Sequence, residues 1–273
     1  MSASVSLGTM TSDRELTDRV ASYMNTSFTT RHSSDAWFWG FLWLYCATVI
    51  GFGFAPPVID RFFDDFQEPA SMALVIHVWT FSAWMCLLAI QAYVTASRRL
   101  NWHRKLGTAM LPLAVLMIWS GLASELQFQQ RVLAGGGNSS DFFAITATYM
   151  ATFAILVTLA WSNRRDPPTH KRFVLLATAA ILGGAHMRLW GDLWPDGWFD
   201  ESYAFRLFFY FGGSLIIVAF GMMHDLFARR RLHRVYVFAV PSLLLTYMLA
   251  VGLHDSLSWS EWVKPILVGP AAQ

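Results

Sequence analysis

MALVIHVWTFSAWMCLLAIQAYVTASRRLNWHRK (residues 72–105) decides the architecture. Its first part, 72–96, contains no Lys, Arg, Asp or Glu, and its last part, 97–105, carries Arg98, Arg99, Arg104 and Lys105. An apolar run of that length matches the roughly 20 residues a helix needs to cross a hydrocarbon core of about 30 Å. The cations behind it resist translocation and hold the loop on the cytoplasmic side. The same pattern recurs along the chain, which predicts spans at 36–56, 72–96, 106–126, 142–161, 172–190, 204–223 and 235–253. Lipid satisfies no backbone polar group, so each span is expected to be an α-helix. The predicted fold is an all-α integral membrane bundle of seven helices.

Composition agrees. Apolar residues make up 55% of the chain and charged ones 14%, against about 25% charge in soluble domains. The net charge of +2 comes from basic residues placed in short loops between apolar runs. That arrangement gives no footprint for nucleic acid. Cys46 and Cys86 fall inside spans without metal-ligand or CxxC spacing and are expected to be small buried hydrophobes.

Two further basic loops, SNRRDPPTHKR (162–172) and HDLFARRRLHR (224–234), alternate with acidic ones. The loop around 57–71 carries Asp60, Asp64, Asp65 and Glu68, and that around 191–203 carries Asp192, Asp196, Asp200 and Glu201. The alternation predicts an N-inside, C-outside topology. It divides the chain into a cytoplasmic arm (1–35), a transmembrane domain (36–254) and an extracytoplasmic tail (255–273). The arm has no apolar signal-peptide core, so the first span is expected to direct insertion. A short helix from Asp13, capped by Ser12 and Glu15, is expected within it, with Leu16, Val20, Tyr23 and Met24 as its apolar face. Trp37, Trp39, Trp102, Trp161, Trp190, Trp194 and Trp198 stand near span ends as interfacial anchors. Leu126–Asp141 reads as a flexible outer loop through Gly135, Gly136 and Gly137. Leu257, Trp259 and Trp262 would lay the tail on the membrane surface. Pro112 and Pro241 are expected to kink their helices. The three basic loops each place an Arg pair before a His–cation pair, which suggests three parallel helical hairpins after the first span.

Candidate chemistry lies in the few polar side chains within spans. His77 and His186 fall at similar depth near the outer ends of different helices, where two imidazoles could clamp a metal or a haem iron. Gly183 and Gly184 would make room for a flat macrocycle, or simply for a neighbouring helix. Arg188 would pair with a propionate or another anion. Glu125 is a candidate proton acceptor or outer metal ligand. On the inner side, His103, His170, His224 and His233, with Asp225 beside His224, could hold a second haem, relay protons or grip an anionic headgroup. No nucleophile elbow, phosphate loop, HExxH helix or nicotinamide fingerprint occurs.

The runs HVWTFSAWMCLLAIQAYVTASRRLNWHRKLG (77–107) and DPPTHKRFVLLATAAILGGAHMRL (166–189) resemble a bacterial family of multi-pass membrane proteins that forms a domain of unknown function. The resemblance covers about 72–190 and rests on His77, Gln91, His103, Arg104, Leu106, Gly107, His170, Lys171, Arg172 and Arg188. It implies a fold and a bacterial inner-membrane location, without a reaction. The helical core with paired histidines is distantly similar to membrane b-type cytochromes, which hold both ligand pairs within helices. Here His103 and His170 sit at junctions, so the similarity implies a single outer haem b. The expected function is a membrane redox component with His77 and His186 as axial or metal ligands and a membrane or periplasmic redox partner. The alternative is a cofactor-free membrane protein: a small-solute or lipid transporter, or a partner subunit.

Overall fold

Three tight turns organise the chain, and each one joins two helices side by side. The fold is a computed structural model that describes residues 28, 31–63, 70–136, 140–193 and 202–268. The helix expected near Asp13 and the residues Asp64, Asp65, Glu68, Gly137, Trp194, Asp196, Trp198, Asp200 and Glu201 lie outside the described residues. Among the described residues there are nine α-helices and no strand. They are α1 (Asp35–Phe63), α2 (Met72–Ala96), α3 (Leu100–Ala134), α4 (Phe143–Ser162), α5 (Pro167–Ile181), α6 (Gly183–Leu193), α7 (Tyr203–Arg229), α8 (Arg234–His254) and α9 (Leu257–Val268). Six of these are long and apolar enough to cross a membrane, and α5 with α6 makes a seventh crossing if the bent pair is one span. The protein is therefore a helical multi-pass membrane protein.

The turns α2–α3, α4–α5 and α7–α8 gather the Arg- and Lys-rich segments at one end of the bundle, called here the basic end. At the first, Arg99 N–H reaches the Val94 carbonyl (2.8 Å) and Arg98 N–H the Thr95 carbonyl (3.1 Å). This is a Schellman closure, and it needs a left-handed residue at Arg98, whose φ is 59°. Arg230 takes the same conformation after α7, with φ 56°. Glycine is the usual choice at such a position, because an L side chain there costs backbone strain. Both turns keep arginine.

Several helices run beyond the apolar windows seen in the sequence. α3 continues to Ala134, about two and a half turns into the segment expected to be a loop. Residues 127–134 are mostly good helix formers, and the Gln129 amide donates to Glu125 one turn back. A hydropathy window ends where the membrane ends, whereas the helix goes on into water. The tail folds back as α9, where Gln130 donates to the Leu267 carbonyl (2.8 Å), Leu267 is buried and Leu257 and Trp262 remain exposed.

The segment expected as the fifth span is two helices. α5 and α6 meet at Leu182 with a 46° bend, while Pro112 and Pro241 sit inside continuous helices. Gly183 sits against the Tyr149 ring so closely that any added Cβ would overlap it, and on α1 Gly53 lies equally close to the Ala185 carbonyl. The glycines thus let α6 press onto its neighbours, as small residues do in membrane bundles. Cys46 is buried as expected, whereas Cys86 is exposed on the outer face of α2. Trp190, expected as an interfacial anchor, stacks flat on Phe208 with ring centroids 4.6 Å apart.

Candidate functional site

At the basic end, three helices converge on an ion-pair network. Asp35, the first residue of α1, accepts from Lys171 (2.9 Å) on α5 and from Arg229 (2.7 Å) on α7. Asp225, one turn before Arg229, is held by Arg172 through both its Nε (2.7 Å) and a second guanidinium nitrogen. Arg229 reaches Asp225 as well (3.5 Å), so one guanidinium spans both carboxylates. Arg172 and Asp225 keep only 3% and 2% of their surface exposed. His224 stacks on Phe38 (centroids 4.2 Å, 18°) and shares a 2.9 Å hydrogen bond with Ser34. Phe28 lies under the guanidinium groups of Arg172 (4.8 Å) and Arg231 (4.2 Å) and meets the His233 ring edge-on.

His233 stands just before α8, and its Nδ1 accepts the Val235 N–H (3.2 Å) as an N-cap. Burial, reinforced by the Arg172 charge, pushes this imidazole from its ordinary 6.5 down to about 4. A neutral ring is what the cap needs, because protonation would turn the acceptor into a donor.

The opposite end is built differently. Arg188 on α6 is exposed, yet groups from four other helices surround it. Phe54 of α1 lies 4.8 Å beneath its guanidinium. His77 of α2, Glu125 of α3 and Tyr149 of α4 lie within electrostatic reach. Its hydrogen bond goes to the Gly184 carbonyl one turn back (3.0 Å). No carboxylate comes within ion-pair distance of it among the described residues. Arg188 is thus exposed on the bundle with side chains of four other helices near it. At about 1.5 Å per residue, His77 and Arg188 both stand about 30 Å from the basic end. His77 Nδ1 is buried and has no partner, as is the Gln127 carbonyl oxygen on α3. Glu125 accepts from Gln129 and Thr146.

The two histidines expected to act together are placed apart. His186 and Arg188 are two residues apart on α6, so their side chains leave the helix about 200° from one another. His77 shares the Arg188 side. His186, 1% exposed, faces α1 and α7, where any Cβ on Gly213 would fall on its ring. Its Nδ1 donates to the Leu182 carbonyl (2.9 Å), since a carbonyl only accepts. That leaves Nε2 as the acceptor, and Tyr45 donates to it (2.8 Å). Both ring nitrogens are thus engaged within the protein. A haem or metal clamped between His77 and His186 does not fit this arrangement. No group of three or more His, Cys, Asp or Glu side chains able to hold a metal occurs among the described residues.

His103 and His170, by contrast, come together across two turns, edge to face with centroids 6.2 Å apart. Each has a local partner: Thr95 for His103 (3.1 Å) and the Ala160 carbonyl for His170 (2.8 Å). Gln91 donates to the His103 carbonyl (3.2 Å) and lies 3.4 Å from where a Cβ on Gly107 would stand. These motif residues therefore lock hairpins.

Sequence reasoning passed over Asp35, Arg229 and Tyr236, all of which line the buried end of the network. A signal existed. Asp35, Asp166 and Asp225 are isolated acids among the cations of an end that positive charge otherwise dominates.

Fold and site together define a helical multi-pass membrane protein with a densely paired ionic end, where Arg229 Nε lacks a partner, and a cluster of polar side chains without ion pairs at the other. Comparison with protein-family models, with curated proteins and with solved structures finds no match to this chain.

Proposed function

We propose that this chain is a carrier-type protein of the bacterial cell membrane that takes a small anionic solute into a crevice at Arg188. The basic end faces the cytoplasm, as its cations require, and the crevice opens outward. One observation carries the proposal: Arg188 stands exposed among five helices, with no carboxylate paired to it. A cation held inside a membrane bundle without a partner is a functional group by default. A guanidinium is suited to a carboxylate or phosphate, which it grips through paired hydrogen bonds.

The bent α5–α6 pair supports the same reading. Interrupted helices in membrane carriers sit where substrate binds, because freed backbone groups are tolerated only beside a cavity or within protein. His77 offers an unpartnered ring nitrogen on the Arg188 side. Glu125 lies within electrostatic reach of the same guanidinium. The ionic network at the basic end closes the other side of the bundle.

The test is ligand-dependent thermal stability of the purified protein with acetate, benzoate, sulfate and inorganic phosphate as probes. At least one of these anions is expected to raise the melting temperature of the wild type and leave Arg188→Gln unmoved. No shift with any anion, or equal shifts in both proteins, would overturn the proposal.

A further inference from the structure

The three basic turns hold four cations each, but they use them differently. In the second and third, Lys171, Arg172 and Arg229 are paired with Asp35 and Asp225, and Arg234 stands 3.9 Å from Asp166. Arg164 donates to the Trp161 carbonyl (3.0 Å), and Arg231 lies on Phe28. The first turn, residues 97–105, contains no acid. Among the described residues, Arg98, Arg99, Arg104 and Lys105 make no ion pair. Arg31 joins them, donating to the Ala96 carbonyl at the end of α2 (2.9 Å).

Two of these cations, Arg98 and Arg99, border a space. A surface hollow of about 430 Å³ is lined by Arg98, Arg99, Leu100, Asn101 and Trp102. The Schellman closure uses up the backbone N–H groups of the Arg pair, so the polar groups offered to the hollow are side chains. Arg98 holds its left-handed conformation at a position where glycine would be unstrained. Keeping a charged side chain there favours a role for the charge.

Apolar surface adjoins the charge. Leu100 and Trp102 are exposed at the rim, and Ile90 and Tyr93 are exposed on the last turns of α2. Ile90, Tyr93 and Ser97 share one face of that helix by their spacing. A phosphate placed among the arginines would have its acyl chains run along this stripe into the bilayer.

We propose that the 97–105 turn is a seat for an anionic phospholipid, its phosphodiester held by Arg98 and Arg99 and its interface side by Trp102. Free phosphate shares the headgroup chemistry, but the apolar stripe selects the lipid. This site is independent of the Arg188 crevice and stands whether or not that crevice binds a solute.

The experiment uses the purified, delipidated full chain with three probes: phosphatidylglycerol, phosphatidylcholine and inorganic phosphate. Native mass spectrometry and melting temperature are the readouts. Phosphatidylglycerol is expected to form a discrete adduct and to raise the melting temperature, and the other two probes are expected to do neither. Removing two cations with Arg98→Gln/Arg99→Gln should weaken the adduct roughly thirtyfold. The matched variant Arg164→Gln/Arg165→Gln in the second turn should keep it. Both variants must melt like the wild type in lipid-free detergent; if the first does not, Arg99→Gln alone is read, with roughly a fivefold loss expected. An undiminished adduct in the first-turn variant would overturn the proposal. Equal loss in the control variant would overturn it by showing a diffuse charge effect. A shift with inorganic phosphate equal to that with lipid would overturn the choice of a lipid.

Discussion

The two ends of this bundle handle buried charge in opposite ways. At the basic end, Asp35 and Asp225 are surrounded by three cations whose donors nearly all find acceptors. At the other end, Arg188, Glu125 and His77 come from three helices to one cluster, and none forms an ion pair. The first arrangement ties α1, α5 and α7 together. The second leaves polar groups poorly satisfied, which a membrane protein tolerates where a ligand will complete them. The difference teaches that burial of charge alone does not mark a site; what matters is whether the partners are already present.

Breaking the densely paired end should have the largest effect. Asp225→Asn leaves Arg172 without its carboxylate in a nearly sealed position, while Arg229 keeps Asp35. Losing one member of a buried pair costs about 3–5 kcal/mol, so the variant is expected to melt far lower in detergent or fail to yield monodisperse protein. The companion Arg172→Met/Asp225→Leu removes the charge pair together and should recover much of that loss. If Asp225→Asn melts like the wild type, the network is not what holds this end.

The next effect tests how α6 is held between the two ends. Gly213→Ala would set a methyl group on the His186 ring, which Tyr45 and Leu182 already fix in place. Overpacking of this kind costs about 1–3 kcal/mol. The penalty should shrink when His186→Ala is added, and a melting-temperature double-mutant cycle reads that coupling. Full additivity would mean that the ring and the glycine do not meet.

A smaller effect sharpens the basic end by pH. The folded His233 imidazole titrates near 4, below its ordinary 6.5. The unfolded chain therefore binds the proton first as the medium acidifies. Stability from the neutral cap is complete above about 6.5 and declines as pH falls toward 4. His233→Asn keeps a side-chain acceptor for the Val235 N–H without titrating, and its melting temperature should lose less than the wild type's over that interval. Parallel curves for the two proteins would remove His233 from the account.

Much of the fold was legible because its rules are local. Apolar length gave the crossings, and the Lys and Arg runs gave the turns. What local reading missed came from distance in the chain. Asp35 finds Lys171 and Arg229 only after α1, α5 and α7 pack, and its isolation among cations hints at pairing without naming the partners. Both His186 ring nitrogens are bonded, to Tyr45 and to the Leu182 carbonyl, which depth along the helix could not reveal. Matched height on two helices says nothing about facing, and the 200° between His186 and Arg188 sends them to different neighbours. The extension of α3 was hidden because a window that scores apolarity stops at the water's edge.

The smallest effect on stability falls at the crevice, and there smallness is the point. Arg188→Gln removes a charge that has one backbone hydrogen bond, a ring contact and no ion pair. Nothing buried is left uncompensated, since Glu125 keeps its bonds from Gln129 and Thr146. Exchanges away from buried networks usually stay within about 0.5 kcal/mol, so the ligand-free variant should melt within a few degrees of the wild type, or above it. A group kept for binding often lowers stability slightly, and its removal then stabilises the fold. The contrast with Asp225→Asn is what separates the two ends. If Arg188→Gln instead collapses the protein as Asp225→Asn does, the guanidinium is a structural strut, and the crevice loses its claim to be waiting for an anion.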